Sequence, residues 1–358
     1  MSQPIHTGTN QLGTLKTSDD LLICRTCGTQ YDTTDSKALT SCRICDDPRQ
    51  YVPPSGQSFT TLSQLGSDSA GYHLTFNPDE RDPSIIGIRI EPPGVGIGQR
   101  ALLIQTPQGN ILWDLVSYLD EDAVTKINDL GGLSAIVISH PHFYTSWKDW
   151  SATFNVPVYL AGLDKEWLNR DAEGANVKFL SERHTTIIPG VTAIICGGHF
   201  PGSMALHTTK GTTKVPGLFH ADTVSEMCHL ALHQHDQEQN LFKVQCFFHR
   251  LTHVLQIYTV PNALTPDIAT TKHGKGHNSY TFMWSIPNMI PLSPDQILGI
   301  WKALKGFKIE ATYGFTTVRY AGKEGEANIP ERILESAKVC VGRMSGEKRE
   351  HEVFGETV

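Results

Sequence analysis

The stretch LSAIVISHPHFYTSWKDW, residues 133–150, places a strand, a loop and a helix in direct succession. Residues 133–139 predict a buried strand, because a short apolar run that ends in turn residues is typical of the interior of a sheet. His140 and His142 follow at once, two positions apart. Side chains alternate along extended backbone, so both imidazoles are expected on the same side of the chain, where they can reach one metal ion.

Two further strand ends carry side chains of the same kind. His199 lies in CGGHFPGS, residues 196–203, at the end of a predicted strand at 191–196, and Asp222 follows another at 217–220. A lone histidine at such a position is more often a hydrogen-bonded structural residue. Three histidines and an aspartate at strand ends together predict a mononuclear metal centre.

Segments on either side alternate between strand and helix patterns. The runs IIGIRIE, RALLIQT and NILWDL predict strands, and the turn residues at 107–110 predict a hairpin between the last two. Helices are expected at 120–129 and 146–154, and a capping box at Ser293 opens another. Further predicted elements are strands at 157–160 and 309–313, a short helix at 164–169 and a closing helix at 329–341. Hairpins mixed with alternating helices imply an α/β sandwich, with sheets inside and helices outside.

Four of the eight cysteines form two C-x-x-C pairs near the N-terminus: Cys24, Cys27, Cys42 and Cys45. In a reducing compartment such pairs favour thiolate ligation of Zn²⁺ over disulfides, because each pair presents two sulfurs to one tetrahedral ion. Coincidental cysteines or a redox pair are the alternatives. Four sulfurs leave no position open for water, so the predicted zinc is structural and holds together a ribbon-like module too small to bury a core of its own.

The glycine-rich loop PPGVGIGQR, residues 92–100, has only a superficial likeness to a phosphate-binding loop. It lacks the Gly-Lys-Ser/Thr ending, and no clear helix pattern follows it. A turn into the next strand is therefore predicted, and Gly94, Gly96 and Gly98 are assigned no ligand.

Composition and charge narrow the class of protein. The chain has 358 residues with 30 Lys+Arg against 37 Asp+Glu, a net charge of −7, which argues against nucleic acid as a partner. No apolar run approaches the roughly 20 residues of a membrane-spanning helix. The amino terminus lacks the segments of a secretory signal, so a cytoplasmic location is expected, with a small-molecule substrate and no membrane partner. A protein partner that binds the ribbon-like module is a further expectation.

Seven stretches of the chain resemble one family. They are CRTCGTQY, CRICDDPRQYVPPSGQSFTTL, GIGQRALLIQTPQGNILWDL, ISHPHFYTSWKDW, GGHFPGSMALH, FHADT and MWSIPNMIPL. They are similar to the metallo-β-lactamase superfamily, in particular to its intracellular metallo-hydrolases with an N-terminal zinc ribbon. The resemblance covers nearly the whole chain apart from residues 225–272. It implies an αβ/βα four-layer sandwich with the metal site at its rim and a small four-cysteine zinc ribbon at the N-terminus.

The resemblance also implies a ligand set. By similarity, the residues of the first metal site are His140, His142, His199 and Asp222. Asp222 takes the place of the residue that bridges two metals. The general motif of the family is H-x-H-x-D-H, and here Tyr144 and Thr145 stand at the last Asp and His positions, so two ligands of the usual second ion are lost. The late histidine of the family is also not evident, because Tyr313 and Gly314 stand where its loop is expected.

The predicted chemistry is hydrolysis of an ester, thioester, lactone or amide. A divalent ion, expected to be Zn²⁺, lowers the pKa of its bound water to about 7, so that a metal-bound hydroxide is available at neutral pH. Asp222 is expected to help hold the ion or to accept a proton, and Tyr144 to donate to the developing oxyanion. A packed structural tyrosine is the alternative for Tyr144.

Two other functions are also compatible with the sequence. A non-catalytic metal-binding interaction protein would keep a degenerate hydrolase fold and dock a partner through the ribbon. An iron redox protein is a third hypothesis, but the lost aspartate and histidine make a di-iron centre hard to build.

The sequence also predicts how the chain divides. The expected parts are a flexible N-terminus (1–20), a four-cysteine zinc-ribbon-like module (21–52), a linker (53–72), a metallo-β-lactamase-like domain (73–345) with an atypical insert (225–272), and a flexible C-terminus (346–358). The insert is rich in His, Gln and Leu and lacks the rhythm of strands and turns around it. It is expected to be an excursion without fixed structure, with a lid beside the metal site and a translated intron as alternatives.

Overall fold

The computed structural model of the protein describes residues 8–67, 69, 71–226, 279–314, 318–320, 328–345 and 349–358. All but the first two residues of the insert predicted at 225–272 lie outside the described residues. Among the described residues, no helix is both long enough and apolar enough to cross a bilayer.

The N-terminal cysteine-rich segment forms a small module, here called the ribbon, that spans residues 21–65. Its elements are β1 (Ile23–Cys24), α1 (Arg43–Asp46), β2 (Phe59–Thr60) and α2 (Leu62–Leu65). Because β1 pairs antiparallel with β2, part of the segment expected to be a linker belongs to the ribbon. Ile23 and Leu65 are buried in the core of the main domain, which anchors the ribbon to it.

Seven strands form the first sheet, and two helices cover it. In chain order they are β3 (His73–Pro78), β4 (Ile85–Glu91), β5 (Arg100–Ile104), β6 (Ile111–Trp113), α3 (Glu121–Asp129), β7 (Ala135–Val137), α4 (Trp147–Phe154), β8 (Val158–Ala161) and β9 (Val177–Leu180). The strands lie side by side in chain order. Pairs from β3 to β6 are antiparallel, and pairs from β6 to β9 are parallel.

The second half of the chain builds the second sheet. In chain order, the elements of this half of the chain are β10 (His184–Ile188), β11 (Val191–Ile195), β12 (Met204–Thr208), β13 (Gly217–Phe219), β14 (Ser225–Glu226), β15 (Tyr280–Thr281), β16 (Met283–Ser285), β17 (Ile290–Pro291), α5 (Pro294–Leu304), β18 (Ala311–Tyr313), β19 (Val318–Tyr320) and α6 (Ile329–Met344). The sheet has the order β10-β11-β12-β13-β18-β19, in which β13 and β18 pair parallel and the other neighbours antiparallel. The pairs β14–β15 and β16–β17 form two separate two-stranded sheets.

Alternating side chains along the strands produce four layers. In β5, Ala101 and Leu103 join the core beneath α3 and α4, whereas Leu102 and Ile104 join the core between the two sheets. On the far side, Ile194 of β11 packs with α5 and α6. The order is helices, sheet, sheet, helices, so the αβ/βα sandwich expected from the sequence is confirmed.

Local capping explains where two of the helices begin. Asp120 accepts a hydrogen bond from the N–H of Ala123 at the start of α3. Ser293 and Gln296 form a reciprocal capping box at the start of α5. Both helices therefore begin where the sequence predicts. The short helix expected at 164–169 is instead a 3-10 helix, Gly162–Trp167.

The described parts of both chain ends lie against the main domain, where the sequence predicts flexible termini. Gln11 and Leu133 exchange two backbone hydrogen bonds, of 2.6 and 3.0 Å. Near the C-terminus, Val353 is buried in the core with α6, and the Lys338 amine donates to the carbonyl of Glu356 at 2.6 Å. Backbone pairing and an apolar anchor, which composition does not reveal, hold these segments in place.

Candidate metal centre

The two sheets end at a common rim, and three loops meet there. These loops carry the four side chains of the predicted centre: His140 and His142 after β7, His199 between β11 and β12, and Asp222 after β13. The backbone N–H of Met204 donates to the carbonyl of Ser139 at 2.8 Å, which ties the two sheets together at this point. The structure thus brings together the four residues that the sequence assigns to one ion.

The loop that carries the first two histidines is not extended. Pro141–Phe143 form a 3-10 helix, in which the N–H of Phe143 donates to the carbonyl of His140 at 3.0 Å. The expectation of extended backbone is therefore wrong for this loop, because Pro141 fixes its own φ in the helical range. The imidazole rings of His140 and His142 nevertheless lie 4.9 Å apart.

The ligand atoms are spaced like the corners of a tetrahedron. His142 Nδ1 and His199 Nε2 are 3.3 Å apart. Asp222 Oδ2 lies 3.3 Å from His140 Nε2 and 3.4 Å from His142 Nδ1. Its distance to His199 Nε2 is 3.6 Å. Ligands bound at about 2.0–2.1 Å by a tetrahedral Zn²⁺ stand about 3.3 Å from one another, so the residues present fit a divalent ion.

Burial keeps two of the three imidazoles neutral. It lowers the pKa of His142 to about 4 and that of His199 well below its usual range. Nε2 of His140 is buried and has no hydrogen-bond partner among the described residues. Burial by itself would raise the pKa of Asp222, but its contacts with His140 and His142 outweigh burial and hold that pKa well below its usual range. Neutral imidazoles and an ionised carboxylate are the protonation states that bind a cation.

Hydrogen bonds behind the ligands fix the orientation of the rings. Ser139 Oγ is 2.9 Å from His140 Nδ1, and the carbonyl of Met283 is 3.3 Å from His199 Nδ1. In each ring the other nitrogen faces the centre. Asp114 accepts from the N–H of Ser139 at 2.7 Å, and burial raises the pKa of this carboxyl to about 7. None of these three supporting residues was predicted, although Asp114 stands directly after an apolar strand, as the predicted ligands do.

Tyr144 and Thr145 have other contacts. The Tyr144 hydroxyl donates to the carbonyl of Asp164 at 3.4 Å, and its ring is buried in the core beneath α3 and α4. This contact gives no support to the predicted role as an oxyanion donor and fits a packed structural tyrosine. The carbonyl of Thr145 accepts a hydrogen bond from the N–H of Gln30 in the ribbon at 3.1 Å. Among the described residues, no further His, Cys or carboxylate joins the cluster.

The four cysteines of the ribbon form a second cluster. Cys24 Sγ lies 3.7 Å from Cys45 Sγ, and Cys27 Sγ lies 3.5 Å from Cys42 Sγ. These separations exceed the roughly 2.05 Å of a disulfide and approach the roughly 3.8 Å between sulfurs on a tetrahedral zinc. The Tyr31 hydroxyl donates to Cys42 Sγ at 3.0 Å, which suits a thiolate. The cluster fits a metal ion enclosed by sulfur.

Comparisons with known proteins give partial similarities. No protein-family model matches the chain. The chain is 39% identical over 189 residues to the uncharacterized protein YmaE of Bacillus subtilis, a match that covers 53% of this chain and 66% of that protein. A solved metallo-β-lactamase from Pontibacter korlensis is 12% identical, with a TM-score of 0.41 over 75% of this chain and 98% of that one. A B3 metallo-β-lactamase with an active-site glutamic acid is 14% identical, with a TM-score of 0.39 over 78% and 92%.

Sheet order, layers and the position of the centre identify the architecture. Two mixed sheets lie between helices, and the His/Asp cluster sits where β7, β11 and β13 end. This is the arrangement that the resemblance in the sequence implies. The chain has the metallo-β-lactamase fold. Its four-cysteine cluster and its His/Asp cluster are the two groups among the described residues that could hold metal ions.

Proposed function

We propose that this protein is a metal-dependent hydrolase that cleaves an ester, thioester, lactone or amide. The observation that carries the proposal is the convergence of three imidazoles and one carboxylate from three loops, at the spacing of a tetrahedral site. A purely structural site would enclose its ion completely. Here Asp222 keeps 14% of its side chain exposed, whereas the imidazoles are 0–4% exposed, so solvent reaches the centre along this carboxylate.

What a divalent ion would supply when bound here is Lewis acidity, which lowers the pKa of water to about 7 and polarises a carbonyl oxygen. The three imidazoles would bind the ion without reducing its positive charge. The contacts of Asp222 with all three imidazoles use Oδ2, which supports Oδ1 as the atom that would accept a proton from water. Water and substrate would approach on the Asp222 side, because this is the side of the cluster that is open to solvent.

We infer Zn²⁺ as the ion at both clusters and one ion at the His/Asp centre. Imidazole nitrogens and a carboxylate at tetrahedral spacing suit Zn²⁺, and so do four thiolates. Tyr144 and Thr145 replace the residues that would bind a second ion in the family. The substrate is proposed only as a class, because fold and metal ligands determine the type of reaction more than the shape of the pocket.

A panel of chromogenic substrates tests the proposal. Metal-replete wild-type protein is expected to hydrolyse at least one ester, thioester, lactone or amide. His142→Ala should reduce that rate to the background level while the far-UV circular dichroism stays the same, because the variant loses a ligand without disturbing a sheet. His184→Ala is the control and should keep full activity, because the His184 ring contacts the carbonyl of Ala303 on α5 and does not belong to the His/Asp cluster.

Two results would contradict the proposal. Activity that persists undiminished in His142→Ala would place the chemistry elsewhere. Metal-replete wild-type protein that hydrolyses nothing, while its ribbon binds a protein partner, would instead support a non-catalytic metal-binding interaction protein.

A further inference from the structure

The ribbon reaches the His/Asp centre through two separate hydrogen-bonded arms. One arm starts at the first C-x-x-C pair and ends at the backbone of His142. The other starts just after the second pair and ends at the backbone of His199. Each arm depends on one side chain, Gln99 in the first and Arg49 in the second.

Gln99 joins the first cysteine pair to the loop of His142. Its side-chain amide donates to the carbonyl of Cys27 at 2.9 Å and to the carbonyl of His142 at 2.6 Å. Gln99 is 5% exposed, so water does not compete for either bond. A displacement of the ribbon at Cys27 would therefore be transmitted directly to the backbone of His142, one of the proposed metal ligands.

The glycine-rich loop before β5 forms a cradle for Gln99. Gly96 has φ +77, and a Cβ at this position would lie 2.5 Å from Gln99 Oε1. The N–H of Gly96 donates to the carbonyl of Arg25, inside the first cysteine pair, at 3.0 Å. Gly28 also has φ +77, and a Cβ there would lie 3.1 Å from the same Oε1. The absence of side chains at both glycines lets the ribbon and the main domain close around this bridge.

Arg49 joins the second cysteine pair to the loop of His199. Its guanidinium donates to both oxygens of Asp47, at 2.6 and 2.8 Å, and Asp47 directly follows α1, which carries Cys45. The same guanidinium donates to the carbonyl of His199 at 3.1 Å and stacks on the ring of Phe200 at 3.7 Å. The fork geometry of arginine allows these contacts to be made together.

We propose that the ribbon is a clamp for the His/Asp centre, with Gln99 and Arg49 as positioning residues that raise the affinity of the centre for its ion. The proposal rests on the metal centre of the proposed function. Each arm fixes the backbone of one ligand residue from a different loop. Without the arms, binding an ion would require ordering both loops first, and affinity falls when the binding-competent state is only partly populated.

The test is the affinity of the His/Asp centre for Co²⁺, measured by visible absorption and chelator competition in full-length protein with Zn²⁺ in the ribbon. Gln99→Met and Arg49→Met should each weaken Co²⁺ binding about 10-fold or more, as loss of supporting hydrogen bonds does at metal sites. For Arg49→Met the direction of the change in Co²⁺ affinity is informative. Removing a nearby positive charge would by itself strengthen the binding of a cation, so weaker binding reports the lost hydrogen bond.

Arg170→Met is the matched control. Arg170 is another arginine that joins the ribbon to the main domain, through Asp32 and Asp149, both at 2.8 Å. Its other hydrogen bonds, to Gln30 and Ser18, also lie outside the loops that carry the metal ligands. Its loss should lower the free energy of unfolding while leaving the Co²⁺ dissociation constant within about twofold of the wild type.

The outcomes separate this inference from the proposed function. Wild-type protein that takes up no Co²⁺ on imidazole ligands would overturn both. Wild-type protein that binds Co²⁺, with Gln99→Met and Arg49→Met unchanged, would overturn the clamp alone. An equal loss of affinity in Arg170→Met would also overturn the clamp, because the effect would then follow general destabilisation.

Discussion

Burial controls the charge of the side chains around the centre. Desolvation keeps His142 and His199 neutral, and it also raises the pKa of Asp114 to about 7. These shifts arise from neighbours distant in sequence, packed around each group after folding. The ligand types were predictable from HPH, GGH and HADT, but the supporting carboxylate was not, because its burial is a property of the folded chain.

Asp164 shows the same effect and gives a pH prediction. It is fully buried, Oδ1 accepts from the N–H of Gly202 at 2.9 Å, and Oδ2 has no hydrogen-bond partner among the described residues. Burial raises the pKa of Asp164 from 3.8 to about 6. Between pH 4 and 6 the unfolded chain therefore loses its proton before the folded chain does, so folded-state stability falls as the pH rises.

The substitution Asp164→Asn removes this titration and keeps an acceptor for Gly202. The free energy of unfolding of the variant, relative to wild type, should therefore increase from pH 4 to pH 6 by up to about 3 kcal/mol and then level off. Urea denaturation across this pH range measures the difference. A difference that stays constant with pH would show that Asp164 is ionised at pH 4 in the folded protein.

The loop between β11 and β12 is the element that most constrains the centre. Gly198 precedes His199 at φ +92, and a Cβ there would lie 2.9 Å from side-chain carbons of both Ile300 and Leu292. Thr223 closes the loop from the β13 side, because its hydroxyl accepts from the N–H of His199 at 3.1 Å. The loop is thus held between α5 and the segment that carries the aspartate ligand.

Gly198→Ala should displace this loop. We expect a loss of about 1–3 kcal/mol in the free energy of unfolding beyond that of Gly211→Ala, and weaker metal binding, because the backbone of a ligand moves. Gly211 is the matched control, since it has φ +93 and a Cβ added there would meet nothing within 4 Å, so its substitution adds backbone strain alone. Equal stability and equal metal affinity in the two variants would contradict this account.

Elements with local signals were predicted well, and elements defined by distant partners were not. α3 and α5 begin at the N-caps Asp120 and Ser293, whose capping hydrogen bonds join residues three positions apart in the sequence. By contrast, β12 and the pair β16–β17 were not predicted, because short strands depend on pairing with segments elsewhere in the chain. The β16 strand matters for the centre, since its Met283 carbonyl contacts His199.

For the whole molecule, the sequence was sufficient to predict the four layers, but it did not predict how the ribbon contacts the main domain. Alternation of apolar residues is a local property, and it produced the two sheets and their helices as expected. The ribbon is held by contacts such as Gln99 to Cys27 and Arg49 to His199, which join residues far apart in the chain. The sequence motifs predicted two separate metal clusters, and only the folded chain shows that they share a hydrogen-bonded frame.

The metal content of the purified chain tests the central claim most directly. Elemental analysis of wild-type protein should find two divalent ions per chain, and the double variant His142→Ala, His199→Ala should retain one, held by the ribbon. The result that would contradict the account is wild-type protein that holds a single ion under metal-replete conditions and keeps it in the double variant. The imidazole and carboxylate cluster would then not be a metal centre.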